Sequence, residues 1–267
     1  MPSLLVLEQI LNGLQLGLML FLLAAGLTLV FGVMDMINLA HGSLYMVGAF
    51  VGAWIVGATG SFALGVLGAV LGTAAFGMAL ESTLLRSLYG RDHLSQVLAT
   101  FALILILNDG TRMVFGNDLP LSAPDALAGP VELLPGLQYP AYRLLILGAG
   151  LALAAALYLL VAKTRLGALV RAGASNREMA GAMGVDIKRL FTAVFGIGAG
   201  LCAVAGVLMG PLLAVQVGMG ENILILAFVV IVIGGIGSPM PGSTESTGPA
   251  MRPAKPASTE PRPKTRV

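Results

Sequence analysis

No charged residue interrupts residues 10–33, which read ILNGLQLGLMLFLLAAGLTLVFGV. A helix needs about 20 apolar residues to cross the hydrocarbon core of a bilayer, so this segment is long enough to span it. Further apolar runs follow at residues 44–60, 61–80, 94–115, 141–162, 190–216 and 222–237. Together the runs predict an all-α fold, a polytopic transmembrane helix bundle of about six to seven spans.

The composition of the whole chain is that of a membrane protein. Of its 267 residues, 57% are hydrophobic and 10% are charged, whereas a soluble globular chain is about 25% charged. Glycine is abundant, at 36 residues, and small residues let neighbouring transmembrane helices approach closely. We therefore expect tight helix packing at the GxxxG pairs Gly13/Gly17, Gly48/Gly52, Gly68/Gly72 and Gly206/Gly210.

Basic residues between the runs predict the orientation of the chain. The loops at residues 81–93 and 163–189 carry two and six Lys or Arg residues, whereas residues 116–140 carry none. Short cytoplasmic loops are enriched in Lys and Arg, so the first two loops are predicted inside and the third outside. The N-terminus is then outside, and the C-terminus is inside if every run crosses the bilayer.

Two regions of different composition are expected. Residues 1–237 form the transmembrane domain, and residues 238–267 form a Pro/Ser/Thr-rich tail with almost no large apolar residue. Such a tail can neither span a bilayer nor build a hydrophobic core, so it is predicted to be disordered.

Motifs for catalysis and for metal binding are absent from the sequence. It contains no GxxxxGK[ST] loop for ATP, no HExxH and no GxSxG, and it has only two histidines and one cysteine. These absences favour a transporter or channel over an enzyme, and no catalytic residue, metal site or nucleic-acid partner is predicted. An intramembrane enzyme that uses His41 with Asp35 or Asp109 is the alternative.

Polar residues cluster after the first span, in the segment INLAHGS at residues 37–43. Polar side chains at membrane depth are costly and often line substrate routes, which makes Asn38, His41 and Ser43 candidates for a translocation path. The stretch that follows is short and Gly-rich, so we expect a broken or re-entrant helix near residues 44–60. The alternative is a cytoplasmic turn with a solvated histidine.

Other polar residues lie within or beside the apolar runs. Asp109 and Arg112 are three residues apart and are expected to pair on one helix face. Helix–helix hydrogen bonds are the expected role of Gln15, Thr28, Gln96 and Gln216, and Gln216 is also a candidate for the translocation path.

A short helix is predicted in the loop at residues 163–189. Ser175 and Glu178 fit the capping box S-x-x-E, and Gly184 supplies a helix stop after Met183. The spacing of Met179, Ala180 and Met183 places them on one face of this helix. That face either docks into a groove on a partner or rests on lipid headgroups.

Several segments match those of a known family in order. The most specific are INLAHG at residues 37–42 and the Arg/Ala/Gly pattern at residues 164–185, and others are LNGL (11–14), GLTL (26–29), FGV (31–33), YMVGA (45–49), AGVL (205–208) and GGIGS (234–238). Over about residues 8–238 the chain resembles the permease subunits of branched-chain amino acid ABC importers. It is similar to the smaller permease of that heteromeric pair.

The resemblance implies a role in the bacterial inner membrane. The expected partners are a second permease, two ATP-hydrolysing subunits that bind the ATP, and a periplasmic substrate-binding protein, besides membrane lipid. The cargo is expected to be leucine, isoleucine or valine, or related small polar solutes such as amides or urea. The helix at Ser175–Gly184 resembles the coupling helix that meets the ATPase.

The sequence departs from the family pattern after Ser238. There the family continues with a Gly-rich apolar segment and a closing span, whereas this chain has PMPG at residues 239–242 and the polar tail. A truncated or frameshifted C-terminus is expected, and a non-functional remnant of a permease is a further alternative.

Overall fold

The computed structural model describes residues 2–36 and 38–234. The predicted tail at residues 238–267 and the last residues of the predicted transmembrane domain lie outside this range. Within it, most residues are helical, and the predicted all-α class is confirmed.

The described part of the chain contains nine α-helices and four short strands. The helices are α1 (Pro2–Met34), α2 (His41–Thr59), α3 (Phe62–Thr83), α4 (His93–Phe115), α5 (Ala141–Lys163), α6 (Arg165–Ser175), α7 (Arg177–Ala182), α8 (Ile187–Leu213) and α9 (Met219–Gly234). The strands are β1 (Asp118–Leu119), β2 (Pro130–Leu134), β3 (Leu137–Pro140) and β4 (Val215–Gln216). β1 pairs antiparallel with β4, and β2 pairs antiparallel with β3.

Six of the described helices, α1 to α5 and α8, are long and apolar enough to cross a bilayer. α9 has 16 residues, which is shorter than the ~20 of a full span. The predicted polytopic bundle is therefore confirmed. Of the two expectations for residues 44–60, a break within them is wrong, because α2 is one continuous helix of 19 residues. The chain is interrupted before α2 instead, which agrees with the expected re-entrant helix. Irregular backbone lies just before α2, at Asp35, Met36 and Asn38.

α8 is the central helix of the bundle. Its residues 198–210 are buried without interruption. In α5, by contrast, only 17% of the 18-residue apolar stretch is buried, as expected of a helix that faces lipid. Small residues allow the other helices to approach α8 closely. These close approaches are Gly26 of α1 at Gly198, Gly48 of α2 at Ala203, and Gly77 of α3 at Ala199.

Three of the predicted GxxxG pairs pack against other elements, and one does not. Gly48/Gly52 faces α8 and Gly68/Gly72 faces α2. Gly206 faces α2, and Gly210 faces Leu121 and Val215. The expectation for Gly13/Gly17 is wrong, because a Cβ at either position would meet no described atom of another element within 4 Å. GxxxG spacing therefore permits a close contact only where the fold places a neighbour beside it.

Candidate functional site

The backbone after α1 turns back into the bundle. α1 ends at Met34, and Asp35 has a positive φ of 53°. The Nε2 of His41, the first residue of α2, lies 3.0 Å from the Sγ of Cys202. Cys202 is fifteen residues after the start of α8 and eleven before its end. α2 therefore begins beside the middle of α8, at membrane depth, and the alternative of a cytoplasmic turn with a solvated histidine is wrong.

Three of the predicted path residues are buried together at this start of α2. Asn38 and His41 have no exposed surface, and Ser43 is 3% exposed. The Oδ1 of Asn38 accepts a hydrogen bond of 3.0 Å from the N–H of Ala40, which stabilises the turn into α2. The Nδ2 of Asn38 and the Nδ1 of His41 have no partner among the described residues.

These unpaired polar atoms mark the start of α2 as a candidate site. An unsatisfied buried polar group costs about 1–3 kcal/mol, and intramembrane polar residues are often functional. Tyr45, one helical turn after His41, adds a buried hydroxyl that also lacks a partner within residues 2–36 and 38–234.

The first turn of α9 meets the first turn of α2. A Cβ on Gly42 would clash with the carbonyl oxygen of Gly220 and lie 2.9 Å from the Cβ of Leu224. The N–H of Gly218, just before α9, donates to the Sδ of Met46 at 3.3 Å. Two helix N-termini, each with a partial positive charge, thus converge inside the bundle. Discontinuous helices that meet in this way are typical of substrate sites in transporters.

Gln216, the fourth predicted path residue, lies elsewhere. It is exposed in β4 and pairs with Asp118 of β1. The structure therefore does not bring it together with Asn38, His41 and Ser43. Its position in a strand also rules out the predicted helix–helix hydrogen bond.

The remaining polar predictions have mixed outcomes. Asp109 and Arg112 pair as expected, at 3.4 Å on the exposed surface of α4. Gln96 donates to the backbone carbonyls of Leu88 and Arg91 rather than to a neighbouring transmembrane helix. Its Nε2 therefore fastens the start of α4 to the segment before it.

The residues of the alternative intramembrane enzyme do not form one cluster. His41 is fully buried against Cys202, whereas the side chains of Asp109 and Asp35 are 65% and 71% exposed. Asp109 pairs with Arg112. A general base needs a partner within hydrogen-bond reach, and this arrangement provides neither aspartate in that position.

Two acidic residues were missed by the sequence analysis. Glu221, in the first turn of α9, accepts a 2.6 Å hydrogen bond from the Nδ2 of Asn108 on α4. Glu81, in the last turn of α3, is fully buried. A glutamate at the border of an apolar run is the signal that could have drawn attention to both, because a charge near the membrane needs partners. Of the two, only Glu81 is buried.

The predicted helix of the loop at residues 163–189 is present as α7, with a different start. The Oδ1 of Asn176 accepts from the N–H of Met179 at 2.8 Å and caps the helix. The predicted capping box is therefore wrong, because Ser175 is the last residue of α6. The predicted stop is confirmed, since Gly184 has a φ of +89°, in the left-handed region that favours glycine at helix ends.

The predicted single face of α7 divides in two. Met179 and Met183 are 61% and 79% exposed, whereas Ala180 is 6% exposed and packs inward. Glu178 and Ser175 are exposed as well. A partner that approaches α7 would therefore meet the two methionines and not Ala180.

Comparison with known proteins gives consistent matches. The family described as the branched-chain amino acid transport system permease component matches residues 9–243. The chain is 31% identical over 250 residues to the high-affinity branched-chain amino acid transport system permease protein BraD of Pseudomonas aeruginosa. It is 30% identical over 264 residues to the corresponding protein LivH of Escherichia coli. Both alignments cover 89% of this chain and 81% of the relative.

A more distant relative comes from an archaeon. The probable branched-chain amino acid transport permease protein LivH of Methanocaldococcus jannaschii is 28% identical over 235 residues, which cover 82% of this chain and 70% of the relative. No solved structure gives a significant match to the chain.

Proposed function

Because the chain belongs to the family of branched-chain amino acid transport system permease components, we propose that it is one of two permease subunits of an ATP-driven importer. It is a multi-pass protein of the inner (plasma) membrane. The observation that carries the proposal is the family match, which spans nearly every described residue. The cargo is a branched-chain amino acid, with amides and urea as the other candidates.

The partners follow from what the chain lacks and what it exposes. Its sequence has no ATP-binding loop, so we assign ATP binding and hydrolysis to two partner subunits and no enzymatic activity to this chain. A second permease completes the membrane channel, and a periplasmic binding protein delivers the cargo.

α7 is the proposed contact with the ATPase. A helix of six residues is too short to be stable in water by itself. Its exposed Met179 and Met183 lie one turn apart, and methionine adapts well to a partner surface. Docking against an ATPase groove would cover these two apolar side chains.

The proposed transport mechanism is alternating access. Asn38, His41 and Ser43 line the part of the path next to the start of α2, and Gln216 lies toward its outer mouth. The contact between Gly42 and Gly220 closes the path at the meeting point of α2 and α9. Separation of these two helices would present the unpaired nitrogens of Asn38 and His41 to a polar cargo.

Co-purification tests the subunit assignment. The chain would be co-expressed with the ATPase subunits and second permease encoded beside its gene, and purified in mild detergent. We expect the wild-type chain to retain the ATPase and the double variant Met179→Glu/Met183→Glu to lose it. Met113→Glu is the matched control. Met113 is likewise an exposed methionine, at 86%, but it lies near the C-terminal end of α4, which is predicted on the outer side of the membrane, away from α7. Absence of the ATPase from the wild-type preparation would contradict the proposal.

Uptake of radiolabelled leucine, isoleucine and valine into proteoliposomes tests the path. Asn38→Ala and His41→Gln should lower uptake, while Asn117→Ala, an exposed asparagine just after α4, should not. Wild-type uptake by both variants would remove Asn38 and His41 from the path.

A further inference from the structure

The fully buried side chain of Glu81 connects the end of α3 to the segment that follows it and to α8. Glu81 accepts hydrogen bonds from Nε and Nη2 of Arg86, at 3.3 and 2.9 Å. It also accepts from the hydroxyls of Tyr89, at 2.7 Å, and of Thr192 on α8, at 2.6 Å. Arg86 donates to Thr192 as well, at 2.8 Å. Hydrogen bonds to an ionised group are about twice as strong as neutral ones, so this cluster holds its members in one geometry.

Tyr89 extends the cluster to the end of α1. Its hydroxyl lies 3.5 Å from the Sδ of Met34, and its ring packs edge-on against Phe191 of α8 with centroids 5.3 Å apart. Burial and the hydrogen bond to Glu81 raise the pKa of Tyr89, so it stays a neutral donor. The hydrogen bond to Glu81 likewise raises the pKa of Arg86, so it stays charged.

α7 also contacts Met34, at the end of α1. The Nη2 of Arg177, the first residue of α7, lies 3.5 Å from the carbonyl oxygen of Met34 and 4.0 Å from the Oδ2 of Asp35. Met34 is thus contacted by Tyr89 through its sulfur and by Arg177 through its carbonyl. It is also where α1 ends and the irregular segment toward Asn38 and His41 begins. We call Glu81, Arg86, Tyr89, Thr192, Met34 and Arg177 the Glu81 clasp.

We propose that the Glu81 clasp transmits displacement of α7 to the ends of α1, α3 and α8, with Glu81, Tyr89 and Arg177 as positioning residues. The inference rests on the proposed function, since it requires that α7 meets the ATPase. α7 buries only Ala180 of its own residues, so its apolar packing alone is a weak connection. Arg177 supplies a polar connection to Met34. Through the clasp, Met34 is connected to the ends of α1, α3 and α8.

A purely structural clamp would behave differently from a transmission element. A clamp stabilises the fold, so its loss lowers stability, ATPase activity and transport in parallel. A transmission element connects two events, so its loss separates ATP hydrolysis from transport. The discriminating quantity is therefore the number of cargo molecules taken up per ATP hydrolysed, measured together with the thermal midpoint of the complex.

The test uses the full complex in proteoliposomes with radiolabelled leucine as the probe. Tyr89→Phe removes one hydroxyl and keeps the ring on Phe191, and Arg177→Gln removes the charge. The matched controls are Tyr158→Phe, an exposed tyrosine on α5, and Arg165→Gln, an exposed arginine at the start of α6. We expect both clasp variants to co-purify with the ATPase and to lower leucine uptake per ATP at least fivefold, while the controls stay at the wild-type ratio.

The double variant sharpens the test. If Tyr89 and Arg177 act through one link at Met34, their effects should not add. The double variant Tyr89→Phe/Arg177→Gln should then take up as much leucine per ATP as the more strongly affected single variant. A wild-type ratio in both single variants would overturn the proposal, and so would a parallel loss of ATPase activity, uptake and thermal stability. Failure of the wild-type chain to bind the ATPase would instead overturn the proposed function, and the transmission role with it.

Discussion

Replacement of Gly48 by alanine tests how closely α2 packs on α8. A Cβ at Gly48 would lie 2.7 Å from the Cβ of Ala203, whereas carbon atoms pack best at about 3.5–4.0 Å. The two helices would have to move apart by about 1 Å. Gly148, inside α5, is the matched control, because a Cβ there would meet nothing in the described structure within 4 Å.

The expected magnitudes follow from two opposing effects. Overpacking of a well-packed core costs about 1–3 kcal/mol, while alanine in place of glycine favours a helix by about 0.5–1 kcal/mol. Gly48→Ala should therefore destabilise the protein by up to about 2.5 kcal/mol. Gly148→Ala has only the gain from the higher helix preference of alanine, so it should stabilise the protein by up to about 1 kcal/mol.

The single cysteine of the chain provides the assay. Cys202 is fully buried in α8, the helix on which α2 packs. A maleimide dye that fluoresces on reaction with a thiol will report the temperature at which this packing is lost in detergent. At about 2–4 °C per kcal/mol, Gly48→Ala should lower the midpoint by up to about 10 °C. All variants must be heated at one rate, because unfolding of such proteins is commonly irreversible.

One result would refute the reasoning. If Gly48→Ala and Gly148→Ala unfold at the same temperature, the contact between α2 and α8 is not as close as the structure has it. The central position of α8 and the depth of His41 would then need revision as well, since both depend on that packing.

Three further predictions concern exposed segments and polar pairs. Asn176→Ala should raise hydrogen exchange of the α7 amides, since losing an N-cap costs about 1 kcal/mol, whereas Ser175→Ala should leave exchange unchanged. Asp92 caps α4, and hydrogen bonds from Ser95 lower its pKa. The stability it contributes is present above the unfolded pKa of about 3.9 and lost as pH falls through the lower folded pKa. The thermal midpoint of Asp92→Ala should thus lie below wild type at pH 7 and approach it below about pH 4. A double-mutant cycle on the pair of Asp109 and Arg112 should give a coupling energy under about 1 kcal/mol, because exposed ion pairs are weak.

The membrane-spanning helices could be read from the sequence because length and hydropathy are local properties. The predicted run at residues 94–115 differs by one residue from α4, which is His93–Phe115. The predicted run at residues 44–60 begins too late, because the polar residue His41 is the first residue of α2. Its imidazole is tolerated there because the fold places Cys202 beside it.

The candidate site could be predicted only in part. Asn38, His41 and Ser43 stand out because polar residues are rare in such a chain, and the structure does bring them together. Gln216 stands out equally, but pairing of β4 with β1 places it elsewhere. Glu81 has its charged partner Arg86 only five residues away. The sequence does not show that α8 covers this pair with Thr192, which lies 111 residues away.

The sequence by itself determined that this protein is a multi-pass helical bundle and which family it belongs to. Apolar length and the order of short motifs act along the chain, and they need no knowledge of neighbours. Only the tertiary structure decided that Ala180 faces inward, that Gly13 and Gly17 pack against nothing described, and that α2 begins at the middle of α8. These features depend on which helix lies beside which, and residues distant along the chain settle that together.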